Sequence, residues 1–222
     1  MDTLLKAMEA NFEGYEAELN MVKNKTPKYG NDDDYADDIM KEVFNLYHGE
    51  VTGRPTVNGG EYRVDMLPTT CHVYFGEVMG ASPNGRLAEK PVSEGISPEK
   101  GGDTNGPTAV IKSCAKMDHL ITGGTLLNQR FAPSVVQGEE GLDNMANLIR
   151  AYFNMDGHHI QFNVFDKNVL LAAQKNPDEY KDLIVRVAGY SAHFVTLAKE
   201  VQDDIINRTE PVSYTHLRAP ET

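Results

Sequence analysis

Three kinds of residue in this chain have types and spacings that could do chemistry: paired histidines, glycine-rich loops, and one glycine set in an apolar run. The adjacent His158 and His159 invite a metal reading, as do His119 beside Asp118 and His72 beside Cys71. Zinc-like sites need three or four ligands converging on one point. Neighbours on a strand point to opposite faces, and the other pairs have no further ligand at a recognisable spacing, so structural or substrate-contact roles are favoured for all of them. The pieces "GASPNGR" (80–86) and "EKGGDTNGPT" (99–108) could wrap a phosphate with backbone amides. Neither has the Lys-Ser or Lys-Thr ending of a P-loop or the strand-to-helix context of a dinucleotide fingerprint, which leaves turns as the stronger reading. "GGTLLNQRF" (123–131) lacks the spacing of a nucleophile elbow. There remains Gly189, where the run Leu183-Ile184-Val185-Arg186-Val187-Ala188 stops and Tyr190 follows. Such a glycine is ordinarily a bend that needs positive φ or close backbone approach. The other possibility is a reaction that requires a residue with no side chain.

These residues need elements to hold them. Leu4, Leu5, Met8, Phe12, Tyr15, Leu19 and Val22 recur at three- and four-residue spacings, which predicts an amphipathic helix over 3–24. After Pro27 and Gly30 a second helix is predicted over 33–48, with Ile39, Val43, Phe44 and Tyr47 inward. The acids Asp32, Asp33 and Asp34 fall at its start, where they cap free amides and complement the helix dipole rather than bind a cation. From 51 to 108 glycine and proline recur every few residues, and short strands with ordered loops are expected. Residues 141–154 return to helical spacing through Leu142, Met145, Leu148, Ile149 and Tyr152. "HHIQFNVF" alternates: as a strand it places His158, Ile160, Phe162 and Val164 on one face, and His159, Gln161 and Asn163 on the other. A short helix over 167–174 and an entry segment over 177–185 lead into the apolar run, and an amphipathic helix carrying Leu197, Val201, Ile205 and Ile206 closes the pattern. The stretch "PVSYTHLRAPET" (211–222) has no periodicity, resembles the read-through of a sequencing adapter, and is set aside as a non-native tail.

Bulk numbers bound the possibilities. The 222 residues, 40% of them hydrophobic, suffice for a sizeable core. Lys+Arg 21 against Asp+Glu 33 gives a net charge of −12, which argues against nucleic acid and against anionic membrane surfaces as partners. No apolar stretch approaches the length of a membrane span, and the amino terminus carries acids where a signal peptide would be basic, so a cytoplasmic protein is expected. Cys71 and Cys114 are too isolated for a disulfide framework or a zinc site.

The residues around Gly189 change its reading. "RVAGYSAHF" resembles the radical-bearing motif of the glycyl radical enzymes, the superfamily of pyruvate formate-lyase and its relatives: Arg186, a small residue at 188, Gly189 and Tyr190 all match. "TPKYGNDDDYAD", "GASPNGR", "SEGISP", "NGPTAVIKS", "GGTLLNQRF", "GHHIQFNV" and "VQDDIINRT" look like the carboxy-terminal portion of these enzymes in the same order, so the resemblance runs over residues 1–210. It gives the glycine a chemical reason. Loss of one hydrogen from its α-carbon leaves a radical that flattens without a side-chain clash and spreads over the flanking amide nitrogen and carbonyl.

The resemblance implies an α/β fold: the carboxy-terminal part of a ten-stranded α/β barrel with a glycyl radical domain. Residues 1–91 would end the barrel domain and residues 92–210 would form the radical domain. It implies no bound cofactor, but a radical on Gly189 installed by an activating enzyme that uses S-adenosylmethionine and an iron–sulfur cluster. Gly189 would pass the radical to a cysteine on a Gly-Cys loop well upstream; neither Cys71 nor Cys114 has that context, so the chain is expected to be the end of a longer enzyme, inactive alone. Gly189 is expected to be buried in the whole barrel and exposed here. "MLPTTCHVYFG" and "KMDHLITGGTLLNQRF" look most like the dehydratase branch, in particular the part of it that dehydrates trans-4-hydroxyproline. Within that branch Thr69 and Thr70 fall where a short polar side chain meets the substrate, although a threonine at a strand end that bonds backbone fits equally. Glycerol or propanediol dehydration, or C–C cleavage of the formate acetyltransferase type, is the alternative activity, and the full-length protein is expected to be a homodimer. Two other classes stay open: a stand-alone subunit that replaces a broken radical domain, and a non-catalytic folded piece with exposed strand edges.

Overall fold

The computed structural model describes residues 1–67 and 69–208; the tail at 211–222 lies outside them. The helix expected over 3–24 is two helices, α1 (Asp2–Glu9) and α2 (Glu16–Asn24). Between them Asn11, Phe12 and Gly14 adopt φ of 51°, 62° and 75°. Phe12, 2% exposed, turns back into the protein as its N–H donates to Ala7 O at 2.6 Å, and Asn11 Oδ1 accepts from Ala88 N at 2.7 Å. Burying a phenylalanine gains about 2–3 kcal/mol, which offsets the left-handed backbone needed to reach the pocket. The spacing of apolar residues is blind to that trade.

Asp33 caps α3 (Asp34–Val51), its Oδ1 accepting from Tyr35 N at 3.0 Å and Ala36 N at 3.5 Å. The neighbouring acids pair with lysines: Lys116 Nζ lies 2.7 Å from both Asp34 and Asp37 carboxylates and 3.2 Å from Asp32, which also meets Lys112 at 2.9 Å. The inward face differs from expectation. Phe44 is buried at 6% and packs with Met40, Val51, Val64 and Met117, whereas Ile39, Val43 and Tyr47 are about half exposed, alongside Leu46. The other buried residue of this helix is Asp37, which the Ser113 hydroxyl and Lys116 hold.

Over 51–108 the loops are ordered, but the expected strands are absent among the described residues. Two isolated bridges, Pro55 with Glu61 and Met66 with Thr125, are the extended pairing there. A helix, α4 (Cys71–Val78), takes part of the span. Arg86, 6% exposed, ties the next loop by donating to Gly80 O at 2.6 Å, Lys90 O at 2.7 Å and Leu87 O at 3.1 Å. Order here comes from one side chain collecting carbonyls rather than from a ladder.

The second half alternates. Pro107 starts α5 (Pro107–Ala115) at its first turn, where the missing N–H costs nothing. Then follow β1 (Leu127–Phe131), α6 (Gly138–Asn154) and β2 (Ile160–Val164), a right-sized crossover unit in which β1 and β2 pair in parallel from Leu127–Ile160 to Phe131–Val164. α7 (Lys167–Lys175) leads to the antiparallel hairpin of β3 (Ile184–Arg186) and β4 (Ser191–His193), and α8 (Lys199–Ile206) closes. One core joins Ile111, Leu127, Phe131 and Tyr152; the other joins Val73 and Leu170 to Val187, Phe194 and Ile205, and so fastens the hairpin between α4, α7 and α8. The α/β class holds, with the described strands forming two separate two-stranded sheets.

Candidate functional site

The apolar run reverses at residues 187–190, where Val187 N donates to Tyr190 O at 2.8 Å. Gly189 occupies the third position of that turn with φ +84°, a place that L side chains rarely adopt. Val187 and Ala188 are buried while Gly189 is exposed. A Cβ on Gly189 would stand 3.3 Å from Leu126 Cδ1 and 3.9 Å from Leu67 Cδ2. Backbone conformation and neighbours therefore both favour glycine here.

What holds the turn is a strand whose buried side is polar. The alternation over 158–165 puts Ile160, Phe162 and Val164 on one face, where they pack against the core around Leu127 and Tyr152, and the opposite, polar face is the more buried, with Gln161 and Asn163 at 6% and 3%. Asn163 treats Arg186 as a strand partner would: its Oδ1 accepts from Arg186 N at 3.0 Å and its Nδ2 donates to Arg186 O at 2.8 Å. Gln161 Oε1 accepts from Gly189 N at 3.3 Å, while its Nε2 donates to Val187 O at 3.5 Å and to Asn128 Oδ1. The free edge of the hairpin is thus satisfied by side chains of β2 instead of by a third strand. Periodicity missed these two residues because an alternating polar face reads as solvent-facing.

Thr69 and Thr70 stand at the entrance of α4. Thr69 is exposed, with φ 54° and its Oγ1 3.8 Å from Cys71 Sγ; Thr70 precedes the helix and accepts from Val73 N at 3.0 Å through its backbone carbonyl. Positive φ at a β-branched residue is a genuine outlier. Leu67, which would touch a Cβ on Gly189, belongs to the same segment.

Two of the histidines, His119 and His158, meet at Thr125 without a further ligand beside them among the described residues. His158 Nδ1 accepts from Thr125 N at 3.4 Å, and His119 bonds Thr125 Oγ1 at 2.9 Å and Cys114 O at 3.0 Å. A carbonyl requires Nε2 of His119 to carry a hydrogen, and burial pushes this imidazole toward its neutral form. Among the described residues no group of three or more His, Cys, Asp or Glu is placed to hold a metal ion, and no helix is long and apolar enough to cross a membrane. Cys71 and Cys114 are free thiols. Burial raises Cys114 to about 12, and the thiol donates to Ile96 O at 3.3 Å, so it is inert at neutral pH.

A buried charged cluster beneath the hairpin went unread in the sequence. His72 Nε2 donates to Asp204 Oδ2 at 3.2 Å; Lys100 pairs with Asp204 Oδ1; Arg208 Nη2 lies 3.3 Å from both Asp204 and Glu94. Two carboxylates already balance two cations. Burial first, then Lys100 and Arg208, lower His72 to about 4. Between that value and the ordinary 6.5 the unfolded chain binds a proton that the folded one excludes, so stability is complete above pH 6.5 and falls as the pH drops toward 4. The expected loss is about 3 kcal/mol. Urea midpoints measured against pH check it: His72→Gln should flatten the slope across that window, and an unchanged slope would assign the acid sensitivity elsewhere.

Comparison with known proteins agrees with this geometry. A family model described as glycine radical matches residues 92–195, and one described as pyruvate formate lyase-like matches residues 1–76. Trans-4-hydroxy-L-proline dehydratase of Clostridioides difficile is 85% identical over 210 residues, covering 95% of this chain and 27% of that protein. The crystal structure of hydroxyproline dehydratase from the same organism, with trans-4-hydroxy-L-proline bound, superposes with a TM-score of 0.92 at 83% identity, over 96% of this chain and 27% of that one. The glycerol-bound B12-independent glycerol dehydratase of Clostridium butyricum gives 0.90 at 47% identity, with the same coverage. The chain thus spans about a quarter of the length of the relatives it matches. The motif at Gly189, the paired family models and the shared backbone lead to one conclusion: this chain belongs to the glycyl radical enzymes.

Proposed function

We propose that Gly189 stores the radical of a dehydratase whose substrate is trans-4-hydroxyproline, acting within the complete polypeptide. The observation that carries the reading is the turn at 187–190, where a glycine at φ +84° is presented at a hairpin tip inside the segment matched by the glycine radical family. The 85% identity to a hydroxyproline dehydratase supports that substrate over glycerol or propanediol. An activating enzyme with S-adenosylmethionine and an iron–sulfur cluster removes one hydrogen atom from the Gly189 α-carbon. Gly189 then takes a hydrogen atom from a cysteine elsewhere in the polypeptide; the thiyl abstracts hydrogen beside the hydroxyl-bearing carbon, the substrate radical expels water with acid–base help, and the product radical takes the hydrogen atom back from the cysteine thiol, giving a pyrroline carboxylate and a thiyl that recovers its hydrogen from Gly189.

Thr69 and Thr70 contact the substrate in this reading, and the strained φ of Thr69 supports a functional role there, since such outliers cost about 1–3 kcal/mol and cluster at ligand sites. In this reading residues 1–91 are the end of a barrel domain whose ten strands belong to the complete polypeptide, and residues 92–210 form the radical domain. The half-exposed apolar face of α3, with Ile39, Val43 and Tyr47, is what the remainder of such a barrel covers. The complete protein is a cytoplasmic homodimer in this reading.

Isotope labelling tests the assignment. The complete enzyme is activated under argon after growth on α-deuterated glycine, and its EPR doublet should collapse toward a singlet. A doublet that survives full deuteration removes Gly189 from the role.

A further inference from the structure

The parallel pair β1–β2 places Asn128 and Gln161 opposite each other on one face, and that face looks at the hairpin. Gln161 is 6% exposed, and the direction of its amide is dictated by its partners. Val187 O can only accept and Gly189 N can only donate, so Nε2 must face the first and Oε1 the second. Asn128 Oδ1 takes the remaining Nε2 hydrogen, and the Asn128 backbone N–H is itself anchored on Ser97 Oγ at 3.0 Å. A relay of side chains thus runs from the sheet to a single N–H, that of Gly189.

We infer that Gln161 is a positioning residue for the radical, its side-chain carbonyl holding the Gly189 N–H and with it the plane of the peptide over which the unpaired electron spreads. The inference rests on Gly189 being the radical-bearing residue. A glycyl radical is stabilised only while the α-carbon, the amide nitrogen and the carbonyl stay coplanar. Gly189 is exposed on its outer side in this chain, and the polar contact to that plane comes from the inside, from Gln161. An acceptor on the N–H fixes it from the inside and makes the nitrogen a better donor to the half-filled orbital. Asn163 grips Arg186 by both backbone groups and holds β3; Gln161 alone of the two reaches the glycine.

The test uses the activated complete enzyme, with every signal read per spin so that lost folded protein lowers amplitude without altering line shape. In wild type carrying α-deuterated glycine, a doublet that fails to collapse refutes the radical assignment and this inference together. Where the doublet does collapse, [13Cδ]glutamine labelling should give a weak carbon coupling in pulsed ENDOR, and its absence overturns the role of Gln161 alone. Gln161→Leu should alter the exchangeable N–H coupling seen between H2O and D2O. It should also shorten the radical half-life and lower kcat per spin by about threefold to tenfold, the worth of one hydrogen bond, while KM stays within about twofold. Gln161→Glu keeps an acceptor for Gly189 but loses the amide donor, so its N–H coupling should persist and differ from that of Gln161→Leu. If both variants change that coupling equally, or neither does, Gln161 only fills space.

Discussion

Gly189→Ala in the complete enzyme is expected to leave no EPR-visible radical and to reduce dehydration to the uncatalysed background, while the protein stays folded. Its structural cost is modest. Alanine at φ +84° is strained, and its Cβ would stand 3.3 Å from Leu126 Cδ1, the flexible end of a side chain that can retreat by a few tenths of an ångström. Together these cost about 1–3 kcal/mol, visible as a lower urea midpoint with an unchanged slope. The chemical cost is of another order. A methyl on the α-carbon crowds the planar form that the radical needs, and a turn that already disfavours an L side chain offers no relaxed alternative. Activity and stability should therefore separate: the variant retains most of its folding free energy and none of its spin. A variant that keeps measurable dehydration at wild-type spin would show that the radical lives elsewhere, and one that is merely unfolded would be recognised by its lost secondary structure.

Some of these features are written locally in the sequence. Asp33 announces the start of α3 because a carboxylate just before an apolar-periodic stretch has two free amides to accept from, a purely local bargain. The helix α6 follows from Leu148 and Tyr152 on one face. Gly189 was legible through the residues around it. Other features depend on partners far along the chain. The break at Asn11 and Phe12 exists because Phe12 finds a pocket and Asn11 finds Ala88, and neither is visible in the spacing of residues 3–24. The face of α3 illustrates the same limit: Ile39, Val43 and Tyr47 have the pattern of inward residues, but a pattern says what prefers burial and not what will cover it. Gln161 and Asn163 were hidden for a third reason. Their polar face is buried against backbone groups of the hairpin, and an alternation of polar residues looks the same whether water or a peptide edge lies opposite.

The cluster of His72, Glu94, Lys100, Asp204 and Arg208 was the least legible feature, since it joins side chains 132 residues apart in the sequence, and it carries the largest expected stability effect. Asp204 is 2% exposed and serves three partners at once: the His72 imidazole, the Lys100 ammonium and the Arg208 guanidinium. Asp204→Ala would leave the buried Arg208 and the partly buried Lys100 facing Glu94 alone, and breaking one side of a buried pair costs about 3–5 kcal/mol. Arg208 is the route by which this reaches the site. Its Nη1 donates to Arg186 O at 3.4 Å, and its own carbonyl accepts from Arg130 at 3.3 Å, so a guanidinium released from Asp204 loosens the base of the hairpin that presents Gly189. Hydrogen exchange should therefore quicken at Arg186–Tyr190 as well as in α8, in the complete enzyme before activation. Lys100→Met in the same background removes one of the uncompensated charges and should restore part of the loss, a coupling that a double-mutant cycle reads directly. If Asp204→Ala costs less than about 1 kcal/mol and hairpin exchange is unchanged, the cluster is solvated in solution and the hairpin rests on β2 and the apolar core alone.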